Sequence, residues 1–188
     1  MDSCDIQFWL ERLIRPDKCR FLGVFARNFA PQPETLPSYP CCFVSNTDIA
    51  TLPGSHWVAF YYVSAFHCEF FDSFGLAPST YGFHLNSDDL QVITSSQCVQ
   101  STTSAVCGQF CIYFLYTRSE GHPFSRIISS FSNIDLTSND NAVAKFFKKL
   151  TPHIPPRDFY RSLYTPYPAH HSSCPSYQTC CSRSSSHI

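Results

Sequence analysis

The segment Gln100-Ser-Thr-Thr-Ser-Ala-Val-Cys-Gly-Gln-Phe-Cys-Ile-Tyr-Phe-Leu115 constrains the chain most. Small polar residues give way at Cys107-Gly108 to a strongly apolar run, the pattern of a buried helix whose first turn holds Cys107. That turn leaves backbone N–H groups unpaired and carries the positive end of the helix dipole. A thiol placed there has its pKa lowered, because the turn stabilises the thiolate. Gly108 leaves room for a second chain to come close. The pattern points to a cysteine nucleophile. Position alone does not decide it, since the chain has 11 cysteines and a Cys on an apolar helix is most often core packing.

Two upstream stretches strengthen the case. Gly54-Ser-His-Trp-Val-Ala-Phe-Tyr-Tyr-Val63 reads as a strand rich in aromatic and β-branched residues, with His56 at its entrance. Phe66-His-Cys-Glu-Phe-Phe-Asp-Ser-Phe74 reads as a second strand that ends near Asp72. So few residues separate them that a hairpin is expected, bringing His56 and Asp72 to the same end of one sheet. There Asp72 can orient the imidazole and His56 can take the thiol proton, as in a serine triad.

His56-Trp57, Asp72, Gln100 and Cys107-Gly108 resemble, in order and spacing, the motifs of the adenovirus maturation protease (adenain) family of cysteine endopeptidases. Relatives of that family occur in adenovirus-like small DNA viruses and virus-like mobile elements. Phe21-Leu-Gly-Val-Phe-Ala-Arg-Asn-Phe29, Cys42-Phe-Val-Ser-Asn-Thr47, Phe71-Asp-Ser-Phe-Gly75, Gln97-Cys-Val-Gln-Ser101 and Ser104-Ala-Val-Cys-Gly-Gln-Phe-Cys111 continue the resemblance. It runs from about Phe21 to about Thr151. It implies an α+β, papain-like or adenain-like cysteine protease fold: a central, mostly antiparallel sheet packed against helices, with the nucleophile at the N-terminus of a buried helix.

Carried over residue by residue, the resemblance makes Cys107 the nucleophile, His56 its base or ion-pair partner, and Asp72 the group that orients His56. Adenain has Glu at that last position, and the related deconjugating proteases of ubiquitin-like modifiers have Asp. Gln100 would lend its side-chain amide to an oxyanion hole together with the backbone N–H of Cys107. Gly54, Ser55, Trp57 and Gly108 would line the substrate channel, with Trp57 either a lid over the imidazole or plain core packing. The implied function is cleavage of viral or element-encoded precursor proteins near glycine during virion maturation, in the host nucleus and virion, by a monomer. Two alternatives stand beside it: a deconjugating protease for a ubiquitin-like modifier, and a non-catalytic capsid or packaging protein that kept the fold.

The family also implies candidate activators, DNA and a short viral peptide. Lys plus Arg total 13 against 14 Asp plus Glu, a formal charge of -1, which gives no general footprint for nucleic acid. Arg12, Arg15, Lys18 and Arg20 would make at most a local basic patch, more often a solvated face. In the family the peptide is tethered by a disulfide to a cysteine before the Gln motif. The matching position here falls near Asp89, and Cys98 does not align with it.

A chain of 188 residues suits one domain with a sizeable core, and 18 Phe make that core aromatic. The odd cysteine count, with no cationic and apolar leader, leads us to expect a reducing, intracellular setting with free thiols. No apolar run approaches the length that crosses a bilayer.

In chain order, Asp5 to Ile14 reads as an amphipathic helix with Ile6, Trp9, Leu10 and Leu13 on one face and Asp2, Ser3 or Asp5 as its cap. Ala30 to Pro40 is a proline-rich loop, which in the family borders the substrate groove. Cys41 to Ser45 and Leu90 to Thr94 are short strands. Cys107 to about Thr117 is the central helix, with Phe110, Cys111, Phe114 and Leu115 buried. Phe124 to Phe131 is a short helix, and Asn139 to Leu150 is a helix striped by Val143, Phe146, Phe147 and Leu150. Residues 1–165 form the expected domain, with one more short helix from Arg157 to Leu163, and 166–188 a flexible tail of Ser, Cys, His and Pro. His170, His171, Cys174, Cys180, Cys181 and His187 are zinc-ligand types without paired Cys-x-x-Cys units, so no metal is expected.

Overall fold

The computed structural model describes residues 1–85 and 89–150. The expectations for the 157–163 helix, for the tail and its ligand types, and for the end of the domain at 165 lie outside the described residues. Helix α1 spans Ser3–Leu13. Its start is set by a reciprocal cap: Asp2 accepts from the Asp5 N–H at 2.8 Å while the Asp5 carboxylate accepts from the Asp2 N–H. Ile6, Leu10 and Leu13 are its buried face. Strands β1 (Arg20–Phe25), β2 (Cys41–Asn46), β3 (Trp57–Ser64), β4 (His67–Phe71) and β5 (Gln91–Thr94) form one sheet in sequence order. Helices α2 (Cys107–Ser119), α3 (Phe124–Ser129) and α4 (Leu136–Leu150) follow.

The three central strands, β2 to β4, pair antiparallel as expected, whereas β1 joins β2 and β5 joins β4 in parallel. The edges run parallel because the chain crosses over before each: through residues 26–40 on one side and 72–90 on the other. The β3–β4 hairpin matches Tyr62 to Cys68, Phe60 to Phe70 and Ala59 to Phe71.

Side chains alternate between two cores. On the helix side, Cys42, Val44, Ala59, Tyr61 and Phe71 meet α1, α2, α3 and α4. On the other side, Cys41, Phe43, Val58, Phe60, Tyr62, Cys68 and Phe70 pack with Phe83. Leu22, Ala30, Leu36, Tyr81 and Leu85 cover that second face, so the proline-rich loop closes a core. Burial on both faces explains why β3 reads as an unbroken apolar run.

Helix α2 is buried almost all round. Phe110, Cys111, Phe114 and Leu115 are buried as expected, and Ile112 as well, because α1, α3 and α4 pack on the helix in addition to the sheet. Phe114 stacks on Phe71 with centroids 4.7 Å apart, and Gly108 lies beneath Ile6. Helix α4 begins earlier than its stripe suggests, since Asp135 accepts from the Ser138 N–H at 2.9 Å. Among the described residues no helix is long and apolar enough to cross a membrane.

Candidate active site

His56 is the residue before β3 and Asp72 the residue after β4, so the hairpin brings both to one end of the sheet. His56 Nε2 lies 2.6 Å from Asp72 Oδ1, and the Cys107 thiol lies close enough to the imidazole to raise its pKa. Cys107, half-buried, is the first residue of α2, where the backbone N–H groups of Trp57 and Gly108 favour its thiolate. Imidazole and carboxylate are thus directly paired, with the Cys107 thiol near enough to the imidazole to influence its charge.

The four residues 72–75 build most of this end of the sheet. Asp72 is buried, and its carboxylate is fully used: Oδ1 also accepts from the Phe74 N–H at 3.1 Å, and Oδ2 from the Leu76 N–H and the Tyr81 hydroxyl, each at 2.9 Å. The Ser73 hydroxyl donates to Gln100 Oε1 at 2.8 Å, and its carbonyl accepts from the Val99 and Gln100 N–H groups. Continued past the paired residues, the β3–β4 register sets His56 opposite Phe74, whose ring stacks on the imidazole at 4.8 Å. Gly75 has φ +74°, and a Cβ there would sit 2.7 Å from the Gln97 carbonyl carbon. Only glycine lets the 97–98 segment pass so close.

Electrostatics follow from these contacts. Burial opposes a charge on His56, but hydrogen bonds and charges from Asp72 and Cys107 outweigh it and raise the imidazole to about 9. Burial likewise pushes the Cys107 thiol up, yet His56 and the two backbone donors bring it below its ordinary value. Burial would also raise Asp72, but His56 and the Leu76 and Phe74 N–H groups hold it low. The arrangement favours a thiolate–imidazolium pair braced by a carboxylate. Cys111, one turn on, differs: it is fully buried, bonded to the Trp57 carbonyl at 3.3 Å, and its thiol is pushed well up by burial. It is core, as its position suggests.

The other expected residues fall as follows. Gln100 is 1% exposed, and its Nε2 donates to the Ser104 carbonyl at 2.9 Å, within the loop that leads to Cys107. Because Ser73 fixes the amide oxygen, the NH₂ end is the one turned toward that loop. Its hydrogen bonds among the described residues go to Ser73 and Ser104, not to Cys107. Gly54 has φ +88°, and a Cβ there would meet Asn46 Nδ2 at 2.9 Å, which ties the approach to β3 against β2. Ser55 lies beside His56 on a cavity wall and 3.3 Å from the Thr47 hydroxyl. At Gly108 the close neighbour is α1, where a Cβ would lie 3.1 Å from Ile6 Cδ1; helix packing accounts for this glycine. Trp57 packs against the helix-side core, and the ring stacked on the imidazole is that of Phe74. Phe74, Ser73 and Tyr81 are the functional side chains that sequence reasoning missed. Ser73 and Phe74 sit inside a motif already noted, whereas nothing local distinguishes Tyr81 from a loop tyrosine.

Among the described residues no group of three or more His, Cys, Asp or Glu side chains is arranged to hold a metal ion. The α+β domain places a half-buried thiol at a helix start beside a carboxylate-braced imidazole. No family model matches the chain. It is 34% identical over 114 residues to the protease of Porcine adenovirus A serotype 3, covering 51% of this chain and 54% of that relative. It is 29% identical over 154 residues to the protease of Human adenovirus B serotype 3, covering 69% and 73% respectively. A third match, to the protease of Human adenovirus A serotype 12, is 29% identical over 166 residues, 71% of this chain and 80% of the relative. The chain thus spans about half of the porcine relative and more of the human ones. These similarities support its assignment to the adenain-like family.

Proposed function

We propose that the chain is a cysteine endopeptidase acting on viral or element-encoded precursor proteins near glycine during virion maturation. The observation that carries this reading is the contact of Cys107, His56 and Asp72 at the start of α2. The Cys107 thiolate attacks the scissile carbonyl, and the negative charge that develops on oxygen is met by donors at the helix start, with the Gln100 amide swung toward it. The His56 imidazolium protonates the leaving amine, and water then resolves the thioester with His56 as base. Glycine at the scissile bond suits a channel walled by Trp57 and the Gly54-Ser55 segment. The reading places the enzyme in the host nucleus and the virion, acting as a monomer. A peptide or DNA activator belongs to it as a proposal. Part of the local basic patch is already paired, Arg15 with Asp17 and Lys18 with Glu120.

The test is cleavage of a library of glycine-containing peptides and ubiquitin-like fusions by the wild type and by Cys107→Ala, with and without DNA. Cleavage at internal glycine sites, lost in the variant, is expected. Cleavage only after a folded modifier would move the assignment to a deconjugating protease, the group that shares Asp at position 72. Absence of cleavage under every condition would leave two outcomes, a missing peptide activator or a non-catalytic packaging protein that kept the fold.

A further inference from the structure

Two cavities meet at Arg27. The first, about 630 Å³, has His56, Phe74, Thr47, Asp48 and Tyr81 among its walls, but neither Cys107 nor Gln100. The acyl half of a substrate stays on the thiol while the leaving amine takes its proton from the imidazole. A groove that touches His56 and not Cys107 therefore receives the leaving half, the residues downstream of the scissile bond. The second cavity, about 500 Å³, shares Arg27 and Gly82 with the first as walls.

Arg27 is half-buried, and its Nη1 donates to the Tyr81 carbonyl. Its backbone N–H donates to the Asp48 carbonyl at 3.0 Å. Unlike Arg118, which pairs with Glu69, it has no carboxylate within ion-pair distance among the described residues. A partly desolvated guanidinium keeps donors for an anion, and its planar fork matches a carboxylate. Gly82 is shaped to this group: it has φ +75°, and a Cβ there would stand 2.5 Å from Arg27 Nη1. The polar lining of the second cavity is Arg27, Asn28, Gln32 and His84, with no acid among its described walls. Asn28 Oδ1 already accepts from the Ala50 N–H, so its NH₂ is the end left to donate. Asp48 lines the first cavity alone, which pushes an incoming anion past it toward the second. Leu85 and Ile49 supply apolar wall for the stem of a Glu side chain.

We propose that Arg27 and the second cavity form a specificity subsite for an acidic residue of the polypeptide downstream of the cleaved bond. This inference rests on the protease reading above for its direction along the substrate. The test uses matched peptides carrying Glu, Gln or Lys at each of the first four downstream positions. Wild type, Arg27→Gln and Asp48→Asn are assayed for cleavage. Noncleaving Cys107→Ala and Cys107→Ala/Arg27→Gln proteins are assayed for binding by fluorescence anisotropy.

At one downstream position, Glu should exceed Gln by about tenfold in kcat/KM and in affinity. The ratio should fall to near one in Arg27→Gln and persist in Asp48→Asn. Arg27→Gln keeps a donor for the Tyr81 carbonyl. A merely structural Arg27 would therefore lower the rates on Glu and Gln peptides together and leave their ratio intact, which would overturn the proposal. So would the absence of a Glu preference at every downstream position in both assays. Arg27-dependent binding of the Glu peptides without any cleavage would uphold the subsite and overturn the protease reading.

Discussion

The two ends of α2 each carry a thiol beside a cation, and the helix treats them in opposite ways. At its N-terminus, half-buried Cys107 meets His56, which lines a cavity, and backbone donors. At its C-terminal end, Arg118 binds Glu69 through Nε at 2.6 Å and Nη2 at 3.2 Å. Its guanidinium lies 4.6 Å over the Tyr61 ring, and Cys19 is nearby. The Cys19 thiol is also lowered: Cys42 hydrogen-bonds to it, burial opposes, and Tyr61 and Arg118 assist. Yet Cys19 is 2% exposed, sealed under the sheet–helix interface, and its cation is already committed to a carboxylate. A lowered thiol pKa is therefore not enough to define a nucleophile; access and a cation free to exchange a proton are also needed. Arg118 can do no proton transfer at all, whereas His56 can.

The sharpest way to break this contrast is to remove each thiol in turn. Cys107→Ala should lower kcat on a glycine-containing peptide by about 10⁴-fold or more. Cys19→Ala should cleave like wild type and lose only about 1 kcal/mol of stability, read by urea denaturation. Loss of cleavage in a folded Cys19→Ala protein would mean the two ends are not separate. At the Arg118 end the cost belongs to the fold. Glu69→Ala leaves a partly buried guanidinium unpaired and should destabilise by about 3–5 kcal/mol. The surviving folded fraction should keep the wild-type KM.

Gln100 sharpens the comparison from the catalytic side. Gln100→Ala should cost about 100- to 1000-fold in kcat if the amide serves the oxyanion, with KM little changed. Ser73→Ala, which frees the amide to rotate, should show a smaller drop in the same parameter. A Gln100→Ala effect confined to stability would reduce the residue to a buried brace between Ser73 and the loop before Cys107.

The hairpin carrying His56 and Asp72, the helix start at Cys107 and the nature of Cys111 could all be read from the chain. Each depends on local signals: aromatic and β-branched residues in β3, a polar-to-apolar switch at Cys107, and a four-residue repeat along one helix. The covering of the second sheet face by the 30–40 loop could not, because prolines there signal only a break in regular structure. Likewise Gly108 showed room for a second stretch of chain but not which one: Ile6, about a hundred residues earlier. The parallel edge strands and the roles of Ser73, Phe74 and Tyr81 also rest on long-range pairings that periodicity does not encode. What the sequence marked was the groups that react; what it concealed was the groups that hold them.

Tyr81 offers the smallest and most discriminating test of that distinction, through pH. Asp72 is held below its ordinary value of 3.8, so its contribution to stability is in place above that pH and is lost as the pH falls through its folded value. His56 is raised from 6.5 to about 9, so its contribution is complete below 6.5 and lost as the pH rises through about 9. Stability should therefore fall off at both ends, with carboxylate protonation at the acid edge and imidazolium loss at the alkaline edge. The Tyr81 hydroxyl donates to Asp72 Oδ2 and not to the imidazole. Tyr81→Phe removes one of four donors to that carboxylate and should cost about 1–3 kcal/mol near neutral pH. Because the lost donor favoured the charged form, Asp72 becomes easier to protonate and the acid edge moves up in pH, while the alkaline edge stays near 9. Melting temperatures of the two proteins across pH would show it. Equal destabilisation at every pH would instead make Tyr81 a packing residue of the second core, and would leave Asp72 braced by His56 and the backbone of the 72–76 turn.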